Sequence, residues 1–360
     1  MPRRNADHRA NNFDVVRLAA AVSVIFSHSF LIAAGTQANE PFVILTGGQC
    51  VLGLVGVFVF FVISGYLVTG SFCRRPEPGR FALRRTLRIY PGLLVNVALC
   101  AFVLGPMVTQ LSFSGYLAAP GLRHFLAAAA TLDPGELTLP GVVFSHNAVG
   151  RHLNGSLWTL RYEALMYLMV AGLGVLRLLR LPTAIALIAV GMAAVYFEDA
   201  LRPVGELWQW AWLLGPFAAG MALHLLRDRI VWSGGVALAA LAALALFTAL
   251  GRLILLFPLA GAYLVIWFCR RYDRRLDYSR WCGDLSYGIY IYGWPAEEFV
   301  MWLSGGRAAW WQVFLSSLFI VLPAAWLSWH LVEGRALRLA RRPAVTPPAD
   351  ALPAPAALER

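Results

Sequence analysis

Apolar residues fall along this chain in runs of about 20, the length at which a helix crosses the hydrocarbon core of a bilayer. The runs cover roughly 14–34, 51–72, 89–110, 156–176, 181–197, 207–226, 230–249, 253–269, 284–304 and 309–331. None shows the period-two alternation of a membrane β-strand. The pattern predicts an all-α integral membrane protein, a bundle of about ten transmembrane helices. The runs near 181 and 253 are short and leave little room for tilt.

The longest stretch not predicted to cross is 111–155, which holds Pro120, Pro134, Pro140, His124, His146 and His152. Its apolar piece, 121–132, is too short to span and is expected to lie on or dip into the membrane surface. The organisation read from these runs is a cytoplasmic segment 1–13, a membrane domain 14–335 and a cytoplasmic tail 336–360. The tail is rich in Ala and Pro, and disorder is expected there.

Composition agrees with the pattern. Of 360 residues, 59% are hydrophobic and 14% charged, against about a quarter charged in soluble domains. A soluble or disordered chain is excluded. The net charge is +11, and every basic residue is Arg. The absence of Lys excludes a Walker-A lysine and Schiff-base chemistry. The arginines also set the orientation. If the N-terminus is cytoplasmic and sides alternate, the inner segments collect most of them, including Arg74, Arg75, Arg80, Arg84, Arg85, Arg88, Arg270, Arg271, Arg274, Arg275 and Arg280. The outer loops hold Arg123, Arg151, Arg202, Arg252 and Arg307. This bias predicts both termini in the cytoplasm and an even number of spans. It also accounts for the positive charge, so the expected partner is the lipid bilayer and not nucleic acid. The five cysteines form no CxxC pair, and neither a metal site nor a disulfide framework is expected. The first run follows Arg3 and Arg4 as a signal peptide would, but Asp14, Arg17 and His28 are residues a cleaved segment does not need.

Ionisable residues within spans are costly and point to function. Arg17 and His28 lie eleven residues apart, within about 20° of three full helical turns, on one face and roughly 16 Å apart along the axis. Asp14, one turn before Arg17, can pair with it. Arg17 either holds that pair or snorkels to the cytoplasmic surface. His28 is suited to move a proton near neutral pH, or it bonds to a neighbouring helix. In the fourth run, Glu163 shares a helical face with Ser156 and Tyr167. It either orients His28, holds a substrate hydroxyl, or pairs with Arg161. Arg84, Arg85 and Arg88 form a basic corner at the cytoplasmic start of the third run, read as a helix N-terminus suited to phosphate, or as simple anchoring. Tyr287, Tyr290 and Trp294 make a stripe at helical spacing, either packing or the wall of a sugar or acyl site. Glu297 and Glu298 lie in the outer half of the ninth run, where at least one is expected to face an aqueous cavity.

These residues resemble the acyltransferase-3 family of integral membrane O-acyltransferases. Phe13-Asp14-Val15-Val16-Arg17-Leu18 followed by His28 is similar to the family's first-helix pattern of an Arg, ten residues and a His. Gly56-Val57-Phe58-Val59-Phe60-Phe61-Val62-Ile63-Ser64-Gly65-Tyr66-Leu67 resembles its second-helix signature. Arg85-Thr86-Leu87-Arg88-Ile89-Tyr90-Pro91 resembles its Arg-x-x-Arg motif. Ser156-Leu157-Trp158-Thr159-Leu160 with Glu163 is similar to its Trp-Ser/Thr-Leu…Glu motif. Leu285-Ser286-Tyr287-Gly288-Ile289-Tyr290, then Trp294-Pro295 and Val332-Glu333, complete the order. Two positions depart from the pattern. Many members carry an acidic residue where this chain has Phe58, and a His where it has Gly293.

The resemblance implies transfer of an acyl group, usually acetyl, from acyl-CoA as co-substrate to a hydroxyl of a carbohydrate or glycoconjugate at a bacterial inner membrane. Joined to the residue reading, it assigns His28 as general base, Arg17 and Glu163 as further catalytic residues, and Arg84, Arg85 and Arg88 as the donor phosphate site. Asp14, Ser64, Trp158, Tyr287 and Tyr290 are expected to contact substrate. The competing class, a transporter or flippase for a small metabolite or lipid-linked sugar, explains the spans and the intramembrane charges equally well. It would favour inverted repeats, and the sequence has none that stands out.

Overall fold

The computed structural model describes residues 11–133, 138–142, 153–201, 203 and 206–340. His146, His152, Arg151, Arg202, Pro134 and the tail beyond 340 lie outside the described residues. Each apolar run is helical: α1 Phe13–Ala34, α2 Leu52–Arg74, α3 Pro78–Val108, α4 Trp158–Val175, α5 Leu181–Tyr196, α6 Glu206–Leu225, α7 Gly234–Ala249, α8 Leu253–Arg270, α9 Ser286–Leu303 and α10 Trp310–Leu339. By length and composition, α1, α2, α3, α8 and α10 are long and apolar enough to cross a membrane. α5 and α7 are apolar but shorter. α4, α6 and α9 are interrupted by polar residues: Arg161 and Glu163, Glu206 and Gln209, Glu297 and Glu298. These interruptions include side chains that the candidate site uses.

α3 starts eleven residues earlier than the apolar run suggested. Pro78 occupies its first turn, where a missing N–H costs nothing. The helix then continues through Pro91 and a π-turn at Cys100–Leu104. Arg84, Arg85 and Arg88 therefore sit inside a helix, on its second and third turns. The reading of a helix N-terminus at these arginines is corrected: their backbone N–H groups are spent within the helix, and only their guanidinium groups can meet an anion. The apolar piece near 121 forms the helix Pro120–Thr131, burying Leu122 and Phe125. It is tied to α3 by Tyr90, whose hydroxyl donates to the Ala130 carbonyl at 3.1 Å.

Small residues set the closest helix crossing. A Cβ on Gly65 of α2 would overlap the Phe217 carbonyl of α6, and one on Gly220 would overlap the Val62 carbonyl. Backbone contact of this kind maximises dispersion where lipid offers no hydrophobic drive. Gly220→Val is expected to lower the melting temperature in detergent by several degrees. Gly172→Ala, with nothing within 4 Å of its added Cβ, is expected to leave it unchanged.

Ile25, Val62, Ile63, Phe217 and Ile291 form the dry centre between α1, α2, α6 and α9. Large apolar side chains also point outward, including Leu168, Leu238 and, at 81% exposed, Phe319. Such faces need lipid as their solvent. On the loop between α1 and α2, Glu40 is fully buried and accepts from Val43 N, Leu52 N and Ser27 Oγ at 3.1–3.3 Å. It thereby neutralises the start of α2 and fixes that loop to α1.

Candidate active site

A cavity of about 100 Å³ lies among α1, α2, α3, α4 and α9. Arg17, Ser64, Arg85, Arg88, Glu163, Tyr167, Tyr287 and Tyr290 line it, together with an apolar wall of Val57, Phe60 and Phe61. The structure thus brings together residues from segments as far apart as 17 and 290. Arg84 and Trp158 do not line the cavity. Trp158 is half-buried against Tyr162, with ring centroids 5.7 Å apart, and its neighbour Thr159 faces the cavity instead.

One carboxylate organises the arginine end. Asp284, just before α9, receives Arg88 Nη2 at 2.7 Å and Arg17 Nη2 at 3.2 Å on the same oxygen, Oδ2. Its other oxygen accepts from Ser286 N at 3.2 Å and Ser286 Oγ at 2.6 Å. Asp284 therefore caps the first turn of α9 and bridges two arginines from different helices. Arg17 also keeps Asp14, at 2.5 Å. Nearby, burial pushes the Tyr278 phenol above its ordinary range, so it remains a donor, and its hydroxyl donates to the Asp14 carbonyl at 3.3 Å.

Arg85 is held differently. It lies 5.5 Å from the centre of the Tyr167 ring and 5.6 Å from that of Phe81, and Nη2 reaches Ser71 Oγ at 3.4 Å. Its buried Nε has no hydrogen-bond partner. Among the described residues it has no carboxylate within ion-pair distance, unlike Arg17 and Arg88. A cavity-lining cation with an unpartnered N–H is a site that an anion completes.

Hydroxyls line the cavity beside these arginines. Tyr167 OH donates to Glu163 Oε1, and Ser64 Oγ reaches the same oxygen at 3.4 Å. Tyr290 OH and Thr159 Oγ1 share a hydrogen bond of 2.7 Å. Tyr287 OH donates to the Ile89 carbonyl at 2.6 Å, with the Arg88 guanidinium 5.5 Å from the centre of its ring. Phe58 faces no ion. It is buried in an aromatic cluster, 5.1 Å from Trp212 and 5.3 Å from Phe257 between centroids.

His28 lies beyond this cavity. Its ring meets Trp294 edge-on, with centroids 4.7 Å apart, and Trp294 stands one turn past Tyr290 on α9. Its Nδ1 is 3.7 Å from Glu297 Oε2. Arg17 and His28 do share the face read from their spacing, and that face is turned to α9. The carboxylate at His28 is Glu297, however, and not Glu163. A Cβ on Gly293 would meet the Ile25 side chain at 2.8 Å, so α1 fills the space that a side chain at this position would need. The sequence predicts an aqueous cavity at Glu297 or Glu298, and the structure corrects this, since both are fully buried; Asp284 was not among the sequence candidates. Its only local signal was an acidic residue directly before a Ser-Tyr helix start.

A family model described as an acyltransferase domain matches residues 11–330. The chain belongs to the acyltransferase-3 family. That match spans α1 through most of α10 and includes every cavity-lining residue. The "O-acetyl transferase" of Shigella phage Sf6 is 28% identical over 340 residues, 92% of this chain and 97% of the relative. "Nodulation protein 10" of Rhizobium leguminosarum bv. viciae is 33% identical over 172 residues, 46% of this chain and 44% of the relative. No solved structure matches. This acyltransferase-3 protein is thus similar over nearly its full length to an enzyme named for O-acetyl transfer. Among its described residues, no three His, Cys, Asp or Glu side chains are grouped to hold a metal ion.

Proposed function

We propose that the protein transfers an acyl group, acetyl in the first instance, from acyl-CoA to a hydroxyl of a carbohydrate or glycoconjugate at a bacterial inner membrane. The observation that carries this reading is the polarity of the site along α1 and α9. Arginines lie at one end of the cavity, hydroxyls and aromatic rings along it, and a histidine one turn past its far end. The similarity to a named O-acetyl transferase supports acetyl as the group moved.

In this reading Arg85 is the principal anchor for the donor phosphates, because Arg88 is engaged by Asp284. Arg17, paired with Asp14 and Asp284 and roughly 16 Å from His28, shapes the donor end and is too far to meet the reacting carbonyl. Glu163 holds Tyr167 and Ser64 along the donor's path. His28 accepts the proton of the acceptor hydroxyl as that oxygen attacks the thioester carbonyl. The new C–O bond forms, the C–S bond breaks, and the proton ends on the departing thiolate. The products are an ester and a free thiol.

Membranes carrying the protein, given radiolabelled acetyl-CoA, are expected to release coenzyme A thiol and to place label in a carbohydrate-containing fraction. Membranes without the protein should do neither. No protein-dependent label with acetyl or longer acyl donors would overturn the reading. The donor site has its own test. Arg85→Ala removes charge-assisted bonds worth about 1.5–3 kcal/mol, so the donor KM is expected to rise about 10- to 100-fold. Arg84→Ala, off the cavity, is expected to leave it within about twofold.

A further inference from the structure

We infer that Glu297 is the residue that positions His28, a role resting on the reading of His28 as the general base of acyl transfer. The argument is geometric. Glu297 is fully buried on α9. One of its oxygens, Oε1, lies 2.8 Å from the Ser29 hydroxyl, whose single proton is shared between it and the Ile25 carbonyl at 2.9 Å. The other, Oε2, has no hydrogen-bond partner, and neither does His28 Nδ1. These two unpartnered buried atoms face each other at 3.7 Å. A small rotation of the imidazole closes that gap and satisfies both. A carboxylate accepting from Nδ1–H fixes the tautomer in which Nε2 is the free base, and it stabilises the imidazolium formed when Nε2 takes a proton.

Glu297 is the carboxylate that the structure places within ion-pair distance of His28. Glu163 is engaged on the cavity wall by Tyr167 and Ser64. Glu40, below the neighbouring Ser27, is engaged by Leu52 N, Val43 N and Ser27 Oγ. α10 meets α1 beside His28 with the rings of Trp310 and Phe314, which pack on Phe26. Ser29 is adjacent to His28 in sequence, so a single turn of α1 presents both the base and the hydroxyl that holds its partner. The donor cavity contains neither residue, so the pair bears on the chemical step and not on donor binding.

The test measures kcat and donor KM separately for Glu297→Gln, Ser29→Ala and the native protein at equal membrane levels, with acetyl-CoA as donor. Glu297→Gln keeps size and the Ser29 bond but removes the charge, and a neutral side chain is the easier one to bury. It is expected to lower kcat by about 100-fold or more, as loss of the carboxylate behind a catalytic histidine does, with donor KM within about twofold. Ser29→Ala leaves both partners in place and frees the carboxylate, and is expected to lower kcat about three- to tenfold at unchanged KM. A kcat within twofold of native in Glu297→Gln overturns the inference, as does a fall in kcat matched by a large rise in donor KM, which would mark general collapse of the site. Absence of protein-dependent thiol release in the native membranes is a separate result, and it overturns the acyl-transfer reading itself.

Discussion

Replacing His28 with Ala is expected to remove acyl transfer and leave the bundle folded. The two effects separate because of where His28 sits. Its side chain is 17% exposed at the edge of the packed interior; its ring meets Trp294 edge-on, and at 3.7 Å it makes no formed hydrogen bond to Glu297 that the substitution would break. Losing it costs one aromatic contact of about 0.5–1.5 kcal/mol. The kinetic loss is larger. A positioned general base contributes about 10²–10⁴-fold, and an alcohol hydroxyl attacks a thioester poorly without one. The measurement is acetyl transfer and thiol release in membranes at matched protein level, with binding of acetyl-CoA followed in parallel. Turnover should fall at least 100-fold while donor binding persists, because the cavity between Arg17 and Tyr290 is untouched. Native turnover in His28→Ala would move the base elsewhere. Glu163, the carboxylate on the cavity wall, would then be the residue to replace.

The parts of this architecture legible in the sequence are those that local periodicity controls. All ten apolar runs are helices because a long apolar run has few other ways to satisfy its backbone. Five of them reach the length and apolarity of a crossing segment. The shared face of Arg17 and His28 was readable because both residues lie on one unbroken helix. The start of α3 was not. Its first three turns carry Arg80, Arg84, Arg85 and Arg88, and a reading based on apolarity begins only where charge ends, whereas a helix does not. The partners of the charged groups were not legible either. Asp284 and Glu297 reach Arg17 and His28 from more than 250 residues away. Nothing within either segment encodes that α1 and α9 run side by side. Glu163 was the nearest candidate by motif, and packing gave it to Tyr167 and Ser64 instead.

Asp284→Ala is expected to be the most damaging single change to stability. Asp284 is 8% exposed and joins two guanidinium groups that are themselves largely withdrawn from water. Removing one partner of such a cluster leaves buried charge uncompensated, at a cost of about 3–5 kcal/mol. The cap on the first turn of α9 goes with it, at about 1 kcal/mol. Folded protein in detergent should fall sharply, and its melting temperature with it. Asp284→Asn divides the two roles, because Asn caps a helix as well as Asp does but attracts neither arginine. It should recover part of the stability while donor KM stays at least tenfold above native, since Arg17 and Arg88 lose the point that aims them. A donor KM below native would instead mean that Asp284 competes with the donor phosphates for those arginines. Pairing Asp284→Leu with Arg88→Met takes the argument further. Apolar replacement of a buried ion pair is often neutral or stabilising, and Arg17 keeps Asp14. The double variant should therefore melt close to native while donor KM stays at least tenfold above it, because Arg85 still anchors the donor phosphates but Arg88 no longer assists and Arg17 is no longer aimed.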